Sequence, residues 1–350
     1  MGPSRFPRRT GWAAVGAALL IGASAGPAAA AHRHHHHGDR GAYVETPIVS
    51  DQPGMAPVTD PNLVNPWGIS FGPTTPLWVA NNGTSTSTLY STNAGPAKLP
   101  LVVGTQPGPT GTVFNDTTEF RLPDGSASNF LFDSLSGQLS AWGGGTKTTT
   151  TASVSGTAFT GLALGHTHDG PRLYAADALS TNVLVYDGKW QLDHILKDRK
   201  LPAGLTTYNV AVIGKKVYVS YAPPPGVESK VLGAIDVFDF DGRLERRLVT
   251  GGVLNGPWGI VLAPHGWGRF GDALLVGNED GGQINAFDPR SGRFLGTVKD
   301  AHGRQIGADG LWGMAFGNGV IATPNDLVIA IGVDEYTHGR VALVRPTPDR

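Results

Sequence analysis

The chain has 350 residues, with 27 Lys and Arg against 28 Asp and Glu, a formal charge of −1, and no cysteine. That balance leaves no field to attract nucleic acid or an anionic membrane surface, and without thiols there are no disulfides, thiolate nucleophiles or thiolate metal sites. Fifty Gly and 26 Pro stand beside 40% hydrophobic residues, a mixture that suits many short strands joined by tight turns.

The first predicted element is an export signal over 1–31. Arg5, Arg8 and Arg9 form a basic start, Trp12 to Gly26 an apolar stretch, and Ala29-Ala30-Ala31 a small-residue cleavage site. The stretch is too short and too rich in Gly and Ala for a membrane span. Thr10-Gly11-Trp12 after the Arg pair matches a twin-arginine signal poorly, which favours the general secretory route. The mature protein is therefore expected outside the cytoplasm, without a membrane span and as a monomer. Residues 32–42 read as a disordered linker. Its run His34-His35-His36-His37 could tether Zn, Cu or Ni, but a contiguous run lacks the fixed geometry of a dedicated site and reads better as a spacer.

Tyr43-Val44-Glu45-Thr46-Pro47-Ile48-Val49 is the first strand, and it has no partner nearby in sequence. Six similar short strands follow: Pro66 to Phe71, Thr110 to Phe114, Thr160 to Leu164, Tyr208 to Val212, Pro257 to Leu262 and Leu311 to Phe316. Each carries a Gly or Asn marker, at 68, 111, 161, 209, 259 and 313. The markers lie 43 to 54 residues apart, a period that suits a four-stranded propeller blade of ~40–50 residues. A small marker is expected where inner strands crowd round a central channel. Second strands follow, such as Leu77 to Ala80 and Val217 to Ser220. Third strands alternate with period two, as in Asn182 to Tyr186, and turns such as Asp241-Gly242 lead to an outer fourth. The last repeat ends at Val344 with no room for a fourth strand, so the strand at 43–49 is expected to supply it and close the ring. The fold predicted is all-β: one six-bladed propeller of four-stranded antiparallel blades over 43–346, with a short tail at 347–350.

Four stretches carry a family resemblance: Asp60 to Ile69, Leu275 to Asp288, Asp309 to Phe316 and Asp334 to Gly339. They resemble a family of uncharacterised exported bacterial propeller proteins related to NHL-repeat propellers. The resemblance implies fold and export, and it assigns no reaction.

By analogy with other propellers, ligands are expected at the channel mouth where inner strands begin and second strands end. Candidate ligand-binding residues there are Asn65, Asn82, Asp133, Asp177, Tyr221, Asn255, Asn278, Glu279 and Asp309. A Ca or Zn cofactor would draw on Asn209, Asn278, Asp334, Glu335 and His338, because Ca²⁺ takes oxygen ligands and a His beside a carboxylate is a good base or metal ligand. Asn, Asp and Gly also dominate tight turns for backbone reasons, which is the plainer account of each residue taken singly. His302 and His338 are the candidate catalytic histidines, while His166, His168 and His265 fall toward the opposite face. Trp67, Trp258 and Trp312 read as packing between blades. No Gly-x-Ser-x-Gly elbow or phosphate loop occurs. The function expected is a secreted binding or scaffold propeller for a protein, glycan, small molecule or surface component. The alternative is a Ca- or Zn-dependent hydrolase or lyase at that mouth.

Overall fold

The computed structural model describes residues 41–348. The export signal, the histidine run and the last two residues of the tail lie outside them. Six antiparallel sheets form the blades of a closed ring. Blade 1 runs through Pro66–Ser70, Leu77–Asn81, Thr86–Ser91 and Ala97–Gly104 from the axis outward. Blade 2 begins with Pro109–Phe114, blade 3 with Phe159–Thr167, blade 4 with Thr206–Ile213 and blade 5 with Pro257–Leu262. Blade 6 consists of Leu311–Phe316, Leu327–Ile331 and Arg340–Pro346, and Tyr43–Ser50 pairs antiparallel to the last of these as its outer strand. The ring thus closes through the first strand, as the unpaired strand in the sequence requires. A two-residue strand, Val58–Thr59, then adds in parallel beyond it. Among the described residues no helix is long and apolar enough to cross a membrane.

The second strand of every blade is fully buried in its apolar positions, and successive blades share apolar clusters. Tyr43 anchors the closing strand. Its amide donates to Lys299 O at 2.9 Å, its hydroxyl donates to Trp267 O, and its ring lies against Trp267 and Phe270. Pairing along eight residues of strand, with Tyr43, Ile48, Val49 and Ser50 buried, makes this segment integral to the domain. Removing residues 41–50 is expected to leave blade 6 with an open edge and to lower Tm by more than ~10 °C or prevent soluble expression. Thermal unfolding by circular dichroism reads the result, and a Tm within ~3 °C of the full chain would contradict it.

The markers form the waist of the channel. A Cβ at Gly68 would sit 2.5 Å from Thr110 O, one at Gly111 2.5 Å from Leu162 N, one at Gly259 2.7 Å from Trp312 O and one at Gly313 2.5 Å from Trp67 O. Gly161 faces Asn209, whose Nδ2 donates to Trp258 O at 2.6 Å. Each marker therefore abuts the inner strand of the next blade, all the way round. Crowding of backbone against backbone is the physical reason for the repeat that makes the fold legible.

Candidate functional site

The two ends of the channel differ, because the residues on either side of the waist differ. In blades 1, 5 and 6 the residue before the marker is Trp67, Trp258 or Trp312, and these three indoles gather on the axis where the inner strands begin. Trp67 stacks on Trp312 with ring centroids 3.7 Å apart, and Trp258 meets both edge-on at 6.1 and 6.0 Å. Hydrogen bonds pin two of them, Trp258 Nε1 donating to Thr160 O and Trp312 Nε1 to Asn65 Oδ1, and Trp67 is held by its stack on Trp312. Tyr208 and Tyr336 pack round Trp312, and both hydroxyls donate to the Glu279 carboxylate. Tyr336 ends a turn in which Asp334, Glu335 and Tyr336 all have left-handed backbones, with φ of 51°, 57° and 65°. Side chains with a Cβ rarely adopt this conformation, and three in succession is a strained arrangement. The mouth expected to receive ligand is thus filled with aromatic rings.

Beyond the waist the channel opens into a funnel of about 590 Å³ on the opposite face. Ile69, Val113, Leu162, Leu164, Val210 and Ile260 contribute its apolar wall, and Trp258 with the marker residues its floor. Each inner strand is the terminal strand of its sheet, so its edge faces the axis, with some edge carbonyls, such as Thr160 O and Trp258 O, taken by side chains. Asp116, His166 and Asn318 stand at the rim. His166 Nε2 lies 3.1 Å from an Asp116 carboxylate oxygen, and the pair joins blades 2 and 3. Asn318 is a strut, donating to Gly72 O and Thr75 O.

The residues singled out in sequence fall into separate local networks. Asn65 Nδ2 donates to Asn82 Oδ1, and Asn82 Nδ2 donates to Pro109 O, so these two bridge blades 1 and 2. The Asn255 amide donates to Asn278 Oδ1, and Asn278 Nδ2 donates to Val253 O. Asp177 caps its turn by accepting from Ala158 N, Leu179 N and the Ser180 hydroxyl. Asp309 accepts from Gly281 N. Asn209 belongs to the waist. Asp334 and Glu335 are exposed on the left-handed turn, where Asp334 accepts from Gln52. His338 Nδ1 pairs with Asp51 at 2.7 Å, at the seam within blade 6 where the closing strand ends, rather than with Asp309, Asp334 or Glu335. His302 lies exposed in the turn that Asp300 organises, and its backbone amide donates to Asp300. Among the described residues no three His, Asp or Glu side chains are grouped to hold a metal ion.

Two buried carboxyls stand apart electrostatically. Burial pushes Asp133 up to about 6, against the Thr110 hydroxyl and Gly111 amide that donate to it. Its Oδ2 is buried without a hydrogen-bond partner. Burial likewise pushes Asp236 up to about 7, with the Tyr221 hydroxyl offsetting part of the effect. Arg247 Nε reaches Asp236 at 3.3 Å while the same guanidinium serves Asp198. Both acids sit inside blades and hold strands together rather than lining the funnel. The funnel rim, Asp116 and His166, is not among the candidates that the sequence singles out. The available signal is the position of His166 at the end of an inner strand, on the face that the propeller analogy sets aside.

No family model matches the chain. It is 30% identical over 321 residues to an uncharacterized protein of Acanthamoeba polyphaga mimivirus, R648, covering 85% of this chain and 78% of that one. A second uncharacterized protein of the same virus, L690, is 28% identical over 302 residues, covering 77% of each chain. Among solved structures, a streptogramin B lyase superposes with a TM-score of 0.53 at 9% identity, covering 86% of this chain and 98% of that one. The virginiamycin B lyase of Staphylococcus aureus gives 0.53 at 10% identity, covering 87% and 99%. At that identity the likeness speaks for the propeller fold alone. The relatives found by sequence are viral, so they give no support to a bacterial, exported family.

Proposed function

The chain belongs to the family of the mimivirus protein R648, and from its fold and axial funnel we propose that it is a non-catalytic binding propeller that seats a small amphiphilic ligand in the funnel. The observation that carries this reading is the asymmetry of the channel. One end is filled by three indoles, and the other is a blind recess of about 590 Å³, a size typical of small-molecule sites. Its wall combines aliphatic side chains with the edges of the inner strands. A ligand with an apolar body and a few hydrogen-bonding groups matches both, and the Asp116–His166 pair offers a polar contact at the rim. The signal reading of residues 1–31 supports placing this activity outside the cytoplasm.

The rival reading, a Ca- or Zn-dependent hydrolase or lyase at the mouth where inner strands begin, draws no support from the geometry. Its candidate ligands serve separate partners, and the axis there is filled by aromatic rings.

Titration with the apolar fluorophore 1-N-phenylnaphthylamine tests the funnel. Saturable enhancement is expected in the wild type. It is expected to fall about tenfold in affinity in Leu164→Arg, which sets a charge on the half-exposed funnel wall. Absence of saturable binding, or equal binding by a folded Leu164→Arg, would reject the reading.

A further inference from the structure

A second recess, about 490 Å³, lies away from the axis, between the long connection after the inner strand of blade 2 and the outer turn of blade 3. Two strained bulky residues meet beside it. Phe120 has φ 54° and Trp190 has φ 65°. Aromatic residues seldom take this conformation, and glycine would take it without cost. Both are instead held there by reciprocal hydrogen bonds: the Phe120 amide donates to Gly188 O at 2.7 Å, and Trp190 Nε1 donates to Arg121 O at 2.8 Å. The buried Phe120 ring meets Trp190 edge-on at 5.2 Å, which fixes the indole in the recess wall.

Beneath this lies a built support. Asn115 Nδ2 donates to Glu119 O and to Ser128, and the Ser128 hydroxyl donates to Phe120 O. On the blade 3 side, Asp187 accepts the amides of Lys189 and Gln191. The recess therefore has a half-buried indole, apolar contacts from Leu122 and Pro123, and three exposed charged side chains, Glu119, Arg121 and Lys189, at its edge.

We propose that this recess is a saccharide-binding site. An indole offers an apolar surface to the C–H face of a pyranose. Carboxylate, guanidinium and ammonium groups round it accept from and donate to ring hydroxyls, which a purely apolar ligand could not use. Two cations opposed by one carboxylate, on a chain of formal charge −1, are too few for a nucleic-acid backbone. Trp190 is the stacking platform, and Lys189 and Arg121 are the hydroxyl partners. The site is separate from the axial funnel and does not depend on the reading of it.

Native affinity electrophoresis in gels containing a soluble β-glucan, a xylan, a galactomannan or a polygalacturonate tests the proposal. Retardation of the wild type is expected in at least one gel. Trp190→Ala is expected to weaken it about tenfold and Lys189→Ala about threefold, with Leu164→Arg retarded like the wild type. Because Trp190 also ties two connections together, Lys189→Ala, altered only at an exposed side chain, decides the matter if Trp190→Ala fails to fold. Unretarded migration of the wild type in all four gels would overturn the proposal. So would retardation unchanged in Lys189→Ala and in a folded Trp190→Ala.

Discussion

Gly313→Ala is expected to lower Tm by about 5 °C, from a loss of roughly 3 kcal/mol. The added methyl would lie 2.5 Å from Trp67 O and 3.0 Å from an Ile69 carbon. Carbonyl oxygen on a packed strand cannot swing aside as a surface side chain can. The inner strand of blade 1 must move, and Trp67, stacked on Trp312, moves with it. Gly104→Ala is the control, since its methyl would meet only Lys147 Cγ at 3.6 Å and a carbonyl at 3.7 Å. Parallel melts of the two variants read the difference. Equal Tm values would show that the waist is looser than its contacts indicate.

Stability is expected to decline as pH rises from about 4 to about 7, and Asp236→Asn is expected to flatten much of that slope. Asp236 is pushed up to about 7 and Asp133 to about 6, each from 3.8. The folded chain thus keeps these protons over a range where the unfolded chain has released them. Their contribution is complete below the unfolded value and is lost as pH climbs through the folded values. Each tenfold change in acidity between the folded and unfolded chain corresponds to ~1.4 kcal/mol, so the two acids together represent at most several kcal/mol. Below this range the opposite group acts. Asp60, held down by Lys98, Tyr90 and Asn62 against its own burial, and Asp326, held down by Arg345 and Thr323 against the same penalty, favour the folded state only while ionised. Guanidinium melts at pH 4.5, 6 and 8 measure the curve. An Asp236→Asn variant no more stable than wild type at pH 8 would remove Asp236 from the account.

The blades and their closure are legible in the sequence because their cause is local and repeated. Backbone crowding demands a small marker once per blade, and a leftover strand at the start answers a missing strand at the end. The occupancy of the axis is not legible. Trp67, Trp258 and Trp312 are scattered through the chain, and only closure of the ring brings their indoles together, so each taken alone looks like packing between neighbouring blades. Asp116 and His166 are likewise 50 residues apart and meet across two blades. The left-handed turn at Asp334–Tyr336 contains no glycine to announce it. Sequence proximity pairs His338 with the acids beside it, whereas the seam delivers Asp51 from the far end of the domain.

That seam also sets an order of events. The hydroxyl of Ser50 donates to Gly339 O across 289 residues, so the first strand made is the last to be satisfied. Until blade 6 exists, Tyr43–Ser50 is a nascent edge with Ile48 and Val49 uncovered, open to pairing with another chain. Such distant pairing makes the final step slow compared with formation of any single blade. A chaperone or a low concentration of newly made chains is therefore expected to raise the yield of closed propeller far more than any change that strengthens an individual blade.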